Sequence, residues 1–344
     1  MINSKRLTRR GLLAIGVAGA GSLLLAGCGT VAAPQPAAEQ MEEKAEPAQE
    51  AAPGYTPVTV ENCGFTITYD RPPQRAITLS QEATELMLAL GLQDSMVGTS
   101  YLRDWVHPDF QAAFDQIPVL AEKYPSHEVI LGTETDFVYA AFVSAWERED
   151  VAGPRDALLE LGIASYQSAA NCKDGKVTVE DVFEDFLKVG QIFGVTERAE
   201  AYVEEQRARL ADIRAKVGSR DPKVSVFIYD GGTDSPYAAV GTGMGNALVE
   251  EAGGINIFAD VEGLYATVNW ETVVERDPDV IVLFDMPGWS TAAEKIEYLE
   301  KTEALHSIKA VQNKRYVEVR FTVANPGIYT IDTIELLVNA FYPE

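Results

Sequence analysis

With 344 residues, 47% of them hydrophobic and 23% charged, the chain is globular in composition and has room for two domains of ordinary size. Its formal net charge of −24 repels nucleic acid and anionic headgroups, which excludes a nucleic-acid-binding role. Lys5, Arg6, Arg9 and Arg10 are the only charges in the first 27 residues, so taking their four positive charges from −24 leaves −28 on the rest.

The N-terminus reads as an export signal. A basic region covers 5–10, and the apolar stretch 11–26 is too short and too glycine-rich for a membrane span. Leu25-Ala26-Gly27-Cys28 fits the lipoprotein cleavage box, in which small residues precede a cysteine that becomes the lipidated N-terminus. Thr8 to Leu13, with Arg9 and Arg10, resemble a twin-arginine export motif; basic residues precede any signal peptide, so the export route stays open. Residues 28–54 are rich in Ala, Pro, Glu and Gln and cannot bury a core. They are expected to form a disordered tether about 30 Å from end to end. Lipid on Cys28 would be the only membrane attachment.

Cys63 and Cys172 remain after cleavage. An oxidising exterior favours one disulfide between them; the alternative is two buried thiols. Neither has a second cysteine or a histidine at ligand spacing, and His107, His127 and His306 are isolated. No protein metal site is expected.

The folded part opens with an alternating strand or hairpin at 58–69, broken by Arg71, Pro72 and Pro73. A short buried strand at 76–79 leads to a helix at 82–90, which Gly91 stops. A strand at 96–99, a short helix at 107–114 and a strand at 137–142 follow. Next come a helix at 155–161 and a strand at 163–166. Residues 178–217 are the longest helical stretch, split by Gly194. Its second part, 196–217, has Thr196 as candidate N-cap and Gly218 as stop, and would span about 33 Å. Further strands are expected at 224–229, 238–240, 255–258, 280–284 and 316–319. Helices are expected at 246–252, 294–299 and 330–340, with Gly231 and Gly232 in a loop. Strands alternating with helices imply βαβ units and mostly parallel sheets.

One pattern occurs twice. Glu128 is followed eight positions on by Asp136, which opens an apolar strand. Glu271 and Asp279 repeat it, with Pro278 where the first copy has Thr135. Two similar lobes usually face each other across a cleft that takes small ligands. The expected fold is α/β, with two Rossmann-like lobes joined by one long helix. The expected division is signal peptide 1–27, tether 28–54, N-terminal lobe 55–193, linking helix 194–218 and C-terminal lobe 219–344.

These features resemble a known family, the substrate-binding lipoproteins of ABC importers for iron–siderophores, cobalamin and haem. The resemblance covers about residues 55–344. It rests on Cys28 and its box, the strand Pro72-Pro73-Gln74-Arg75-Ala76-Ile77-Thr78-Leu79, and Leu88-Ala89-Leu90-Gly91-Leu92. It rests also on Asn269-Trp270-Glu271, Asp277-Pro278-Asp279-Val280-Ile281-Val282, the long helix and Asn325-Pro326-Gly327. The resemblance implies that a Glu near each lobe tip, here Glu128 and Glu271, meets arginines on an ABC permease. Exposed carboxylates at helix starts suit that role, and also serve as plain first-turn acids. The resemblance further implies a monomer that binds a ferric siderophore, with cobalamin, haem or another chelate as alternatives, and performs no bond chemistry.

Ligands of open α/β sheets lie beyond the carboxyl ends of the strands. That rule selects Ser80, Gln81, Tyr101, Arg103, Lys123, Tyr124, Phe142 and Trp146 in the first lobe. In the second it selects Tyr237, Trp289, Arg320 and Phe321. Aromatic walls with a few cations suit bulky anionic chelates; the plainer reading is loop packing and solvated charge. Gly241, Gly243 and Gly245 lack the dinucleotide spacing and are expected to permit a tight turn. There is no Gly-x-Ser-x-Gly elbow, and no acid–base pair of carboxylates is identifiable. A lipoprotein enzyme or a sensory lipoprotein remain the competing classes.

Overall fold

The structure, a computed structural model, describes residues 54–148 and 151–343. The expected signal peptide, Cys28 and all but the last residue of the tether lie outside the described residues.

Strands β1 (Val58–Asn62) and β2 (Phe65–Tyr69) form an antiparallel hairpin. Alternation turns Val60, Ile67 and Tyr69 inward. Cys63 in its turn is disulfide-bonded to Cys172, with Cα atoms 5.8 Å apart.

The first lobe runs β3 (Ala76–Thr78), α1 (Gln81–Ala89), β4 (Met96–Ser100), α2 (Gln111–Phe114), β5 (Val119–Ala121), α3 (His127–Gly132), β6 (Phe137–Ala140), α4 (Arg155–Glu160) and β7 (Ala164–Gln167). Its five strands are parallel, in the order β5-β4-β3-β6-β7. The first strand is central, and the chain winds outward on one side and then the other. That reversal opens a crevice at the carboxyl ends of the strands.

Helices α5 (Val179–Ile192) and α6 (Thr196–Val217) follow. Thr196 is not the N-cap that the sequence suggests. Val195 holds that position without a side-chain bond, and its N–H donates to Gly190 O at 2.8 Å. The chain turns at Gly194 (φ +71°), and the residue left in the cap position, Val195, has no side-chain acceptor.

The second lobe comprises β8 (Val224–Gly231), β9 (Tyr237–Ala239), α7 (Met244–Glu251), β10 (Gly254–Asn256), β11 (Tyr265–Thr267), α8 (Trp270–Arg276), β12 (Val280–Asp285), α9 (Ala292–Lys301), α10 (Lys309–Gln312), β13 (Tyr316–Arg320), α11 (Phe321–Ala324) and α12 (Thr330–Phe341). Its sheet has the order β11-β9-β8-β12-β13, with β10 also on β8. The pairs among β8, β10, β12 and β13 are parallel; β9 and β11 add antiparallel pairs at one edge. Gly231 closes β8 rather than opening a loop. The sequence reading did not foresee β5, β11, α10 or α11, because three or four residues are too few to display a period.

The repeated cassette has a structural cause. Asp136 accepts hydrogen bonds from Gln74 N and Arg75 N, each at 2.9 Å. Asp279 accepts from Ser225 N at 3.0 Å and from Ser225 Oγ at 2.7 Å. Each aspartate thus fixes the amino end of its sheet's central strand.

Helix α6 buries Ala199, Val203, Leu210, Ile213 and Val217. Tyr202 stacks on Phe186 of α5 at 4.4 Å. One apolar cluster runs from α1 and α5 through α6 to α7 and α12, so the lobes share a core. The other face of each sheet has its own cluster, around Ile77, Leu79 and Val138 in the first lobe and Phe227, Tyr229 and Ile281 in the second. Period two explains the split along β8: Val226 and Ile228 face the shared core, Phe227 and Tyr229 the other side.

Candidate ligand cleft between the lobes

Directly after β4, Tyr101 adopts a left-handed backbone (φ +55°), which turns the chain at the sheet edge. Gln81 holds the loop that follows. Its Oε1 accepts from Asp104 N at 3.0 Å and Arg103 N at 3.3 Å, and its Nε2 donates to Trp105 O at 2.9 Å. Ser80 Oγ accepts from Ala83 N and Ala141 N, both at 3.3 Å. Ser80 and Gln81 are buried, so they set the loops from behind rather than line a wall.

Arg103 is exposed, and its guanidinium lies over three rings from both lobes: Tyr101 at 4.5 Å, Phe321 at 5.0 Å and Phe142 at 5.1 Å. Its Nη2 donates to Tyr101 Oη at 2.7 Å, and among the described residues it forms no ion pair. Tyr101 meets Tyr124 edge-on at 4.6 Å. Tyr124 Oη and Ser144 Oγ share a hydrogen bond of 2.9 Å, and burial pushes the Tyr124 hydroxyl up to about 12.

Arg320, at the end of β13, reaches across to the first lobe. Its Nε donates to Asp104 Oδ2 at 2.6 Å, and its guanidinium lies over Trp105 at 4.2 Å. Behind this pair, Asn325 Nδ2 donates to Glu82 Oε1 at 3.0 Å and Tyr329 Oη to Glu85 Oε1 at 3.3 Å. Both carboxyls are buried, and burial raises both, Glu85 to about 7. On the second lobe Tyr237 and Tyr265 stack at 5.5 Å. Trp289 is 86% exposed on the turn that follows β12.

Of the residues picked from sequence, Tyr101, Arg103, Phe142 and Phe321 converge, with Tyr124 and Arg320 beside them. Lys123 is exposed on the loop after β5. Trp146 does not join them. It is buried with Ile130 and Leu158, and its Nε1 donates to Gln167 Oε1 at 2.5 Å. An aromatic residue in a post-strand loop can turn either way, and here a buried amide draws the indole inward. Sequence reasoning missed Asp104, Trp105, Asp230 and Tyr265, as well as the interlobe roles of Glu82, Glu85, Asn325 and Tyr329. Asp104 and Trp105 adjoin Arg103, so extending the strand-end rule by two residues would have found them.

Glu128 and Glu271 are exposed in the first turns of α3 and α8. Ser126 and Asn269 cap those helices, accepting from Val129 N at 3.4 Å and Thr272 N at 2.7 Å. Among the described residues neither glutamate forms an ion pair. Gly241 and Gly243 permit a close approach: a Cβ at either would lie 2.7 Å from a carbonyl oxygen, of Val261 or Leu264. A cavity of about 180 Å³ near Arg214, Arg220 and Lys223 lies at the amino ends of β8 and β10, opposite the edge where this sheet type binds ligands.

The chain matches the family model for periplasmic binding proteins over residues 77–322. It belongs to that family. A cobalamin-binding protein of Halobacterium salinarum is 31% identical to this periplasmic binding protein over 235 residues, which make up 66% of this chain and 58% of that one. The chain thus spans little more than half of that relative's length. A crystal structure of a periplasmic binding protein from Veillonella parvula is 29% identical, with TM-score 0.76, over 84% of this chain and 98% of that one. That of an ABC-type Fe3+-hydroxamate transport system from Saccharomonospora viridis is 26% identical, with TM-score 0.69, over 83% and 99%. The two-lobed α/β fold described above is the fold of this family.

Proposed function

We propose that this chain is the extracytoplasmic solute-binding component of an ABC importer, and that it carries a metal chelate between its lobes without altering it. The observation behind this reading is the meeting of Tyr101, Phe142 and Phe321 around Arg103, with aromatic faces supplied by both lobes. Flat apolar faces with a single cation suit a bulky chelate whose periphery is mostly organic. In this reading Cys28 carries the lipid, 28–54 is the tether, 194–218 joins lobes 55–193 and 219–344, and Glu128 and Glu271 dock a monomer onto the permease.

Two chelate classes compete. Arg320 is already paired with Asp104, so the cleft offers little positive charge. That argues against a ferric catecholate, which carries several negative charges, and in favour of a neutral ferric hydroxamate. The same lack of cations suits a corrinoid, and the relative from Halobacterium salinarum is named for cobalamin. Tryptophan-fluorescence titration with ferrioxamine B, ferrichrome, cyanocobalamin, haem and ferric enterobactin tests the reading. Saturable one-to-one binding of a hydroxamate or of cyanocobalamin supports it, and no binding of any chelate at millimolar concentration overturns it.

A further inference from the structure

Asp230 is the penultimate residue of β8, the central strand of the second lobe, at the carboxyl edge of its sheet. Its side chain is 9% exposed, and it accepts no hydrogen bond from any described residue. Its Oδ1 is buried without a partner. Among the described residues no cation forms an ion pair with it. Lys295 directs its Nζ to the carbonyl oxygens of Phe284 and Ser290 instead, and Arg103, on the opposite lobe, bonds to Tyr101. Both cations still favour the Asp230 charge through space, and that charge in turn disfavours ionisation of Tyr237 and Tyr265. Its chain neighbour Gly231 pairs with Tyr237, which stacks on Tyr265, so Asp230 lies at the strand end beside the stacked tyrosines. Burial pushes its carboxyl up to about 6.

A nearly buried carboxylate with no donor costs free energy unless a donor arrives from outside the protein. Resting on the chelate-binding reading, we propose that Asp230 is a specificity-determining residue that accepts a hydrogen bond from an N–H or O–H group on the bound chelate. It selects ligands that carry an ammonium, carboxamide or hydroxyl at that edge, and it repels ligands that present a carboxylate or phenolate there. Arg103 across the cleft takes the opposite polarity, so the two residues fix which way round the ligand lies.

The test compares wild type with Asp230→Asn and Asp230→Ala by fluorescence titration at pH 7.5. Ferrioxamine B and cyanocobalamin serve as the donor-bearing chelates, and haem and ferric enterobactin as the anionic ones. Thermal melting checks that each variant is folded; removing an unpaired buried charge should not lower the melting temperature. Wild type is expected to favour the donor-bearing chelates. Asp230→Ala should weaken those by about tenfold to a hundredfold, the usual effect of losing a hydrogen bond to a charged group, and Asp230→Asn, which keeps a neutral acceptor oxygen, by less. Neither should weaken the anionic pair. Equal effects on every chelate, or none, overturn the role of Asp230 and leave the chelate-binding reading intact, as does wild-type binding confined to the anionic pair. Failure of wild type to bind any chelate overturns both.

Discussion

Arg320 and Asp104, 216 residues apart in sequence, form an ion pair that joins the two lobes, with Nε 2.6 Å from Oδ2. Thr322 Oγ1 adds a donor to the same carboxylate oxygen at 3.3 Å. The pair is half-buried, so removing one partner strands the other more severely than at an open surface. Arg320→Ala is expected to cost about 1–2 kcal/mol, and the double variant Asp104→Ala/Arg320→Ala less than the sum of the single changes. Urea unfolding of the four proteins measures the coupling. Strict additivity would show that the lobes do not depend on this contact.

Stability should rise as pH falls from 8 to 5. Glu85 accepts His107 N at 2.8 Å inside the interlobe contact, and burial raises its carboxyl from 4.5 to about 7. The folded protein therefore holds this proton where the unfolded chain has lost it. The proton stabilises the fold fully below about pH 4.5, and its contribution fades as pH rises through 7. Asp185, bonded to Tyr166 Oη at 2.8 Å and Ser168 Oγ at 2.6 Å, is raised to about 6 and acts in the same direction. Glu85→Gln keeps an acceptor oxygen and removes the desolvated charge. It should raise stability at pH 8 by about 2 kcal/mol and flatten the pH profile. An unchanged profile of melting temperature against pH would contradict this.

The disulfide between Cys63 and Cys172 closes a separation of 109 residues and ties the opening hairpin to the segment before α5. Long loops gain most from cross-linking in the chain-entropy account. The variant Cys63→Ser/Cys172→Ser is expected to lose about 2–4 kcal/mol of stability. Ligand affinity should stay near wild type, because neither cysteine is among the residues that meet around Arg103. Denaturant curves and titrations on the same variant separate the two effects.

Glu128 and Glu271 make no ion pair among the described residues, and both are exposed. Replacing both with Ala should leave chelate affinity unchanged and lower uptake at least tenfold. Replacing them with Arg should lower uptake further, because two cations would meet a basic surface. An uptake assay with the reconstituted permease reads this, and full uptake by the double Ala variant would refute docking through these residues.

Much of the fold could be read from sequence because its signals are local. Most strands of both sheets, though not β5 or β11, show as apolar runs, Gly91 and Gly218 end their helices, and the repeated Glu–Asp spacing marks equivalent strands in the two lobes. The repeat reflects a shared task, since Asp136 and Asp279 each hold a central strand. The cleft could be read only in part. Tyr101, Arg103 and Phe142 follow their strands closely, so a strand-end rule reaches them. The bond between Arg320 and Asp104 depends on how two lobes meet, and nothing local encodes it. Trp146 was misplaced for the same reason: whether it turns outward or inward depends on Gln167, 21 residues later.

Hydrogen–deuterium exchange on the protein with and without saturating chelate tests most directly where cargo sits. Binding between the lobes should slow exchange together in residues 101–105 and 320–329, one segment from each side of the cleft, and leave 214–223 unchanged. Protection confined to one lobe, or centred on 214–223, would contradict a ligand held between them.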